Sequence, residues 1–306
     1  IMASLVGSEM CIRDRCTVIL SCLVSIGGSK RLRTKRGISR VDTTVEFRID
    51  GEVINPDVEN RPILVEIFSN ARIAKMTLRS PERRNALNAD LSRGIQLAVE
   101  RVEHEGCRSL VITGTGEVFC AGADLTGGVF SSGFANQNVA MLRTIERSKL
   151  IIVAYVNGAA IGAGAQLAMA CDLRVADAEA YFALPVAKMG FALDNWTVRR
   201  LESLVGGGFA RTILYTGDPF HAQESASHGL VNKIGTVDDA LAWAQEIATY
   251  APLTLHHLKL VFNNDSAQQQ PTPIQAAAAK TAWISEDLKE ARRAFAEGRR
   301  PRFRGI

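Results

Sequence analysis

The sequence predicts an α/β fold whose strands pair largely in parallel. Two observations predict it. From Arg61 onward, short β-branched apolar runs alternate with longer segments of helical periodicity, the pattern of repeated βα units. Within that run, NGAAIGAGAQLAMACDL (Asn157 to Leu173) reads as strand end, glycine-rich turn and buried helix.

The elements follow in order. Ile63 to Phe68 and Ile73 to Leu78 are strands joined by a turn at Ser69-Asn70, and Ser80-Pro81 breaks the second. Asn88 to His104 is a helix with Asn88 as N-cap and Leu91, Ile95, Ala98, Val99 and Val102 on one face. Leu110 to Thr113 is a strand ending at Gly114. A loop rich in glycine (Gly127, Gly128, Gly133) precedes a helix from Asn136 to Ser148. Ile151 to Tyr155 is a buried strand, which Asn157-Gly158 ends. Leu173 to Ala176 and Tyr181-Phe182 are short strands. A helix from Asp194 to Leu204 is separated by Gly206-Gly207-Gly208 from a second, Phe209 to Tyr215. The C-terminal part is helical: Ala240 to Ala251, Pro252 to Phe262, a polar loop from Asp265 to Pro273, and one long helix from Ile274 to Glu297. Trp283, Ile284, Leu288, Ala291 and Phe295 form its stripe, with Gly298 as C-cap candidate and Pro301 as stop.

The first sixty residues differ. Thr17 to Ile26 is apolar with basic flanks, the outline of a signal peptide, and is too short to span a membrane. Leu5 to Arg15, LVGSEMCIRDR, resembles the conceptual translation of a sequencing-library adapter. Residues 1–60 are therefore expected to be a non-native or disordered extension, with the protein proper starting near Ile63 and residing in the cytoplasm.

Composition excludes little. At 306 residues, 47% hydrophobic and 22% charged, the chain is an ordinary globular protein. A net charge of +4 argues for no nucleic-acid partner. The cysteines and histidines have no metal-ligand spacing, and Cys120 and Cys171 read as buried free thiols. No metal and no separate cofactor are expected.

Chemistry concentrates in the small-residue stretches. Gly162-Ala163-Gly164 opens a helix, Ala165 to Ala170, that is apolar except at Gln166. The first N–H groups of a helix lack internal partners and sit at its positive end. Small residues let a ligand approach them, which makes an oxyanion or anion site; close packing of helix on strand is the other reading. GEVFCAGADL, Gly116 to Leu125, also ends an apolar segment in small residues.

Together with SPERRNALN (Ser80 to Asn88) and GLVNKI (Gly229 to Ile234), in that order, these stretches resemble the enoyl-CoA hydratase/isomerase (crotonase) superfamily from about Arg61 to the C-terminus. The resemblance implies a crotonase-like spiral of ββα units over 61–236 and a C-terminal helical trimerisation region over 237–306, commonly assembled as a trimer or a dimer of trimers. It implies a fatty acyl-CoA or enoyl-CoA ligand, whose thioester carbonyl is held by the N–H groups of Ala123 and Ala163. Coenzyme A enters only as part of that ligand. Arg83, Arg84, Ala86, Leu87, Ala121, Asp124 and Leu125 fall where the family binds CoA, the arginines facing phosphate. Phe303 resembles the tail that approaches adenine.

The family's hydratases use two glutamates to move protons. Carried over by position, these fall on Gln166 and Val186. Neither side chain titrates near neutral pH, and general acid–base help is worth roughly 10²–10⁴-fold. The resemblance thus implies weak or absent hydratase activity, as in actinobacterial members that bind acyl-CoA and lack both glutamates. Asp194 matches an acid/base or nucleophile position in isomerases and dehalogenases of the superfamily. It also precedes a helix and fits an N-cap. Phe182, Leu184, Val186, Met189 and Phe191 would suit an acyl-chain channel or plain core.

Overall fold

The computed structural model describes residues 44–55, 60–125, 132–264 and 270–304. Ladder pairing begins with β1 (Val45–Ile49), β2 (Glu52–Val53), β3 (Ile63–Phe68) and β4 (Ile73–Leu78). Helix α1 (Ala89–His104) follows, with Asn88 Oδ1 accepting from the Leu91 N–H at 2.8 Å.

Three ββα turns come next. The first is β5 (Ser109–Gly114), β6 (Val118–Cys120) and α2 (Ser132–Arg147). The second is β7 (Ile151–Val156), β8 (Ala159–Ile161) and α3 (Ala163–Ala170); the third is β9 (Leu173–Ala176), β10 (Tyr181–Ala183) and α4 (Asn195–Thr216). In each turn the first strand joins a large sheet and the second a small one. The large sheet runs β12-β9-β7-β5-β4-β3-β1-β2 and the small one β11-β10-β8-β6, with β11 (Phe220–His221) and β12 (Lys233–Ile234) supplied by later chain. Pairing is parallel along β4-β5-β7-β9-β12 and β6-β8-β10. This is the expected spiral. The strands β5 and β7 are buried on both faces, and their centres, Leu110 to Ile112 and Ile151 to Ala154, are continuously apolar for that reason.

Helices α5 (Ala222–Ser227), α6 (Val237–Ala248), α7 (Pro252–Phe262), α8 (Pro273–Ile284) and α9 (Glu286–Ala296) complete the described chain. Among the described residues, no helix is long and apolar enough to cross a membrane.

The structure corrects several expectations. The long C-terminal helix is broken at Ser285, whose extended backbone (φ −69°, ψ 156°) ends α8 and whose Oγ accepts from the Leu288 N–H to start α9. A serine followed by Glu286 and Asp287 is an N-terminus signature that the apolar stripe concealed. The two helices expected on either side of the glycines are present within α4, and the separator narrows from three residues to one, Gly206 (φ 76°, ψ 154°). The 1–60 extension does not reach Arg61. Strand β1 pairs in parallel with β3 in full register, Asn55 bridges Val45 and Phe47, and buried Glu46 takes ion pairs from Arg48 and Arg79. Residues 1–43, and the adapter-like and signal-like segments in them, lie outside the described residues.

Candidate functional site

The site is built where the small sheet meets α3. Strands β6 and β8 run in parallel with Cys120 beside Ala160, after a register shift between Val118 and Cys120. Glycines set the closeness. A Cβ on Gly164 would lie 2.1 Å from the Cys120 carbonyl oxygen, and one on Gly122 (φ 98°) would lie 2.7 Å from that of Ile161 and 3.6 Å from the Ala163 nitrogen. No other residue type permits this approach.

The two amides are presented by different means. Ala163 is the first residue of α3, so its N–H has no intrahelical acceptor, and Gly162 offers no side-chain cap. Ala123 forms a parallel bridge with Leu87, in which Leu87 donates to the Gly122 carbonyl (2.7 Å) and accepts from the Asp124 N–H (2.8 Å). That pattern uses the groups on either side of Ala123 and turns its own N–H to the opposite side. An amide at a helix N-terminus, with a second unengaged amide close by, is the kind of arrangement that stabilises an oxyanion.

The expected CoA segment comes together around the same bridge. The Ala121 N–H donates to the Arg84 carbonyl at 3.0 Å, and Arg83 pairs with buried Asp124 at 3.1 Å. Arg84 adopts a left-handed conformation (φ 51°) and is exposed, Ala86 is half-buried, Leu87 is buried and Leu125 is exposed. Asn85, which sequence reasoning passed over, pins this loop: buried, it donates to the carbonyls of Thr115 and Val118 and accepts from the Ser80 N–H.

One helical turn beyond Ala163, Gln166 is buried and fully engaged. Its Oε1 accepts from Asn138 Nδ2 (3.1 Å); its Nε2 donates to Asp194 Oδ2 (3.1 Å) and Thr197 Oγ1 (2.6 Å). Asp194 is also the N-cap of α4, with Oδ1 accepting from the Thr197 N–H at 2.9 Å and Oδ2 from its hydroxyl at 2.6 Å. The two roles left open for Asp194 are therefore compatible, since one oxygen caps and the other meets Gln166. Thr197 and Asn138 were missed. Asn138 was findable, because it interrupts the buried stripe Phe134, Met141, Leu142 and Ile145 on α2.

Val186 is buried in the loop after β10, outside this network. Phe182 and Leu184 are plain core, and Phe182 stacks on Phe220. None of the five residues named for an acyl channel lines the cavity beside Asp194. That cavity, of about 680 Å³, runs between α2, α4 and α8, with Asp194, Val139, Leu142, Leu193, Trp196 and Leu214 in its wall. Trp196 donates to Glu146 at 2.8 Å. Phe303 lies on a tail tied back to α9 through Arg299–Glu290 and Arg304 N–H to Asp287. Burial pushes the thiols of Cys120 and Cys171 up to about 12.

The sequence model of the enoyl-CoA hydratase/isomerase family matches residues 69–305. The Mycobacterium tuberculosis protein named probable enoyl-CoA hydratase echA6 is 42% identical over 242 residues, covering 79% of this chain and all of that protein. Among solved structures, the carnitinyl-CoA hydratase from Mycobacterium avium superimposes with TM-score 0.71 at 30% identity, covering 80% of this chain and 99% of that one. An enoyl-CoA hydratase/isomerase from Pseudoalteromonas atlantica gives TM-score 0.71 at 28% identity over 80% of this chain and all of that one. The chain belongs to the enoyl-CoA hydratase/isomerase family.

Proposed function

We propose that the protein binds fatty acyl-CoA thioesters, with the carbonyl oxygen between the N–H groups of Ala123 and Ala163, and hydrates enoyl thioesters weakly or not at all. The observation that carries this reading is the state of Gln166. Where the family's hydratases place a glutamate, this chain has an amide whose donors and acceptor are already engaged by Asp194, Thr197 and Asn138. An amide cannot deprotonate water, and an engaged one does not orient it. Val186, at the second glutamate position, has no polar group.

The CoA moiety would lie along the bridged segments, with Arg83 and Arg84 toward phosphate and Ala86, Leu87, Ala121, Asp124 and Leu125 along its path. Self-association fits the C-terminal helices. Lys259 is the buried residue of α7, whereas Leu253, Val261 and Phe262 are exposed, as are Ile274 on α8 and Phe295 on α9. Apolar exposure on that scale suits a trimer or a dimer of trimers.

The test is binding and turnover together. Crotonyl-CoA and a series of saturated acyl-CoA esters are titrated by calorimetry, and hydration is followed by loss of enoyl absorbance. Micromolar binding without product is expected. Brisk hydration by the native chain overturns the reading.

A second reading rests on Asp194. It is exposed on the cavity wall and holds Gln166, so it is placed to shuttle a proton as an isomerase or to act in thioester hydrolysis. Turnover abolished by Asp194→Asn with binding retained would favour it.

A further inference from the structure

Arg84 and Asn85 both stand in the left-handed region (φ 51° and 54°), which residues other than glycine rarely occupy even singly. The Asn85 side chain, wholly buried, holds them there with three hydrogen bonds. Its Oδ1 accepts from the Ser80 N–H at 2.9 Å, and its Nδ2 donates to the carbonyls of Val118 (2.7 Å) and Thr115 (3.1 Å). The first bond closes the loop on itself. The other two tie it to the turn between β5 and β6, 30 and 33 residues further along the chain.

The residues on either side of Asn85 are the ones that hold the Ala123 segment. The carbonyl of left-handed Arg84 accepts from the Ala121 N–H at 3.0 Å, and Leu87 forms the bridge to Ala123. Val118, which Asn85 grips, opens the strand that runs into Ala121 to Ala123. Asn85 thus joins the loop that supplies the bridge to the strand that carries the amide. The far side of the same turn is fixed by Asn157. Its Oδ1 accepts from the Gly114 N–H and the Thr113 hydroxyl (3.2 Å each), and its Nδ2 donates to the Gly116 carbonyl at 2.7 Å. Asn157 lies just before β8, the strand that leads to Ala163, so the β5–β6 turn is a common reference for both amides. We infer that Asn85 is a positioning residue, which acts through the backbone of Arg84 to Leu87 to aim the Ala123 N–H at the thioester oxygen. The inference rests on the thioester site proposed above.

The experiment uses butyryl-CoA carrying ¹³C at the thioester carbonyl. Infrared difference spectra read the bound C=O stretch, and calorimetry reads affinity. Two N–H donors on one oxygen weaken its double bond, so the native chain should move the stretch below that of the free ester. Asn85→Gly keeps the left-handed backbone without steric cost and deletes only the clamp. Its bound carbonyl should return about halfway to the free position, with affinity about tenfold lower, the worth of one hydrogen bond. Lys259→Met removes a buried ion pair outside these segments and should keep the native stretch. Asn85→Asp retains the acceptor for Ser80 but sets a carboxylate against two carbonyls. Its stretch should lie near the free position at neutral pH and move toward the native one as pH falls and the acid regains a donor; this variant serves if Asn85→Gly does not fold. A native stretch in Asn85→Gly, or in Asn85→Asp at every pH, overturns the inference and leaves Asn85 a residue of stability alone. So does a stretch lost equally in Lys259→Met. Failure of the native chain to bind the ester, or binding with no change in the stretch, overturns instead the thioester site on which the inference rests.

Discussion

Gln166 on α3 and Asp194 at the head of α4 are joined by a 3.1 Å hydrogen bond, so a buried amide faces a carboxylate. A glutamate in place of Gln166 would create two like charges in contact. Such a pair raises the pKa of one member above its unfolded value of about 4. With the folded value raised, the folded state binds the extra proton. The cost is absent at low pH, grows as pH passes from the unfolded to the folded value, and is complete above it. Gln166→Glu should therefore melt below the native chain at neutral pH and approach it near pH 4, by thermal denaturation across pH. Adding Asp194→Asn should remove most of the neutral-pH deficit. Hydration activity should then appear only when Val186→Glu is also present.

Gly164 and Gly208 give a matched contrast. A methyl on Gly164 meets the Cys120 carbonyl at 2.1 Å, whereas one on Gly208 meets nothing within 4 Å. Gly164→Ala must force β6 from α3 and should lose acyl-CoA binding and several degrees of melting temperature. Gly208→Ala, in an α4 turn, should be neutral or stabilising by about 0.5–1 kcal/mol. Equal effects of the two would contradict the close approach that builds the site.

Lys259 anchors α7 through 2.8 Å bonds to Asp172 Oδ2 and the Leu150 carbonyl. Removing one partner of a buried pair leaves the other uncompensated. Lys259→Met should cost about 3 kcal/mol in urea unfolding. Lys289→Met, at an exposed pair with Glu286, should change little.

Glu46 ties β1 to the sheet. Burial pushes its carboxyl up, but hydrogen bonds from Arg79 and Arg48 outweigh this and hold it below the ordinary value. Its stabilising effect is then present above the unfolded pKa, about 4, and disappears as pH falls through the lowered folded value. Glu46→Gln should lower the melting temperature at pH 7 and flatten its decline in acid. A variant that keeps the native acid profile would show that β1 is not held by this ion pair.

The order of elements was legible in the sequence because local rules decide it. Asn88 caps α1, Ile63–Phe68 and Ile73–Leu78 pair as read, and the glycines at 122 and 164 mark close backbone approaches. The absence of a titratable group at positions 166 and 186 is likewise a property of the sequence alone. Local patterning also misled: the apolar stripe from Trp283 to Phe295 crosses the break at Ser285, since Trp283 stacks on Phe191 while Leu288 turns into the core. Only the folded spiral decided what Gln166 touches. Asn138, Gln166 and Asp194 each lie 28 residues from the next, and no periodicity links them. They meet because successive ββα turns stack three helices side by side, and the charge of Asp194 then dictates the direction of the hydrogen bonds that join these three side chains.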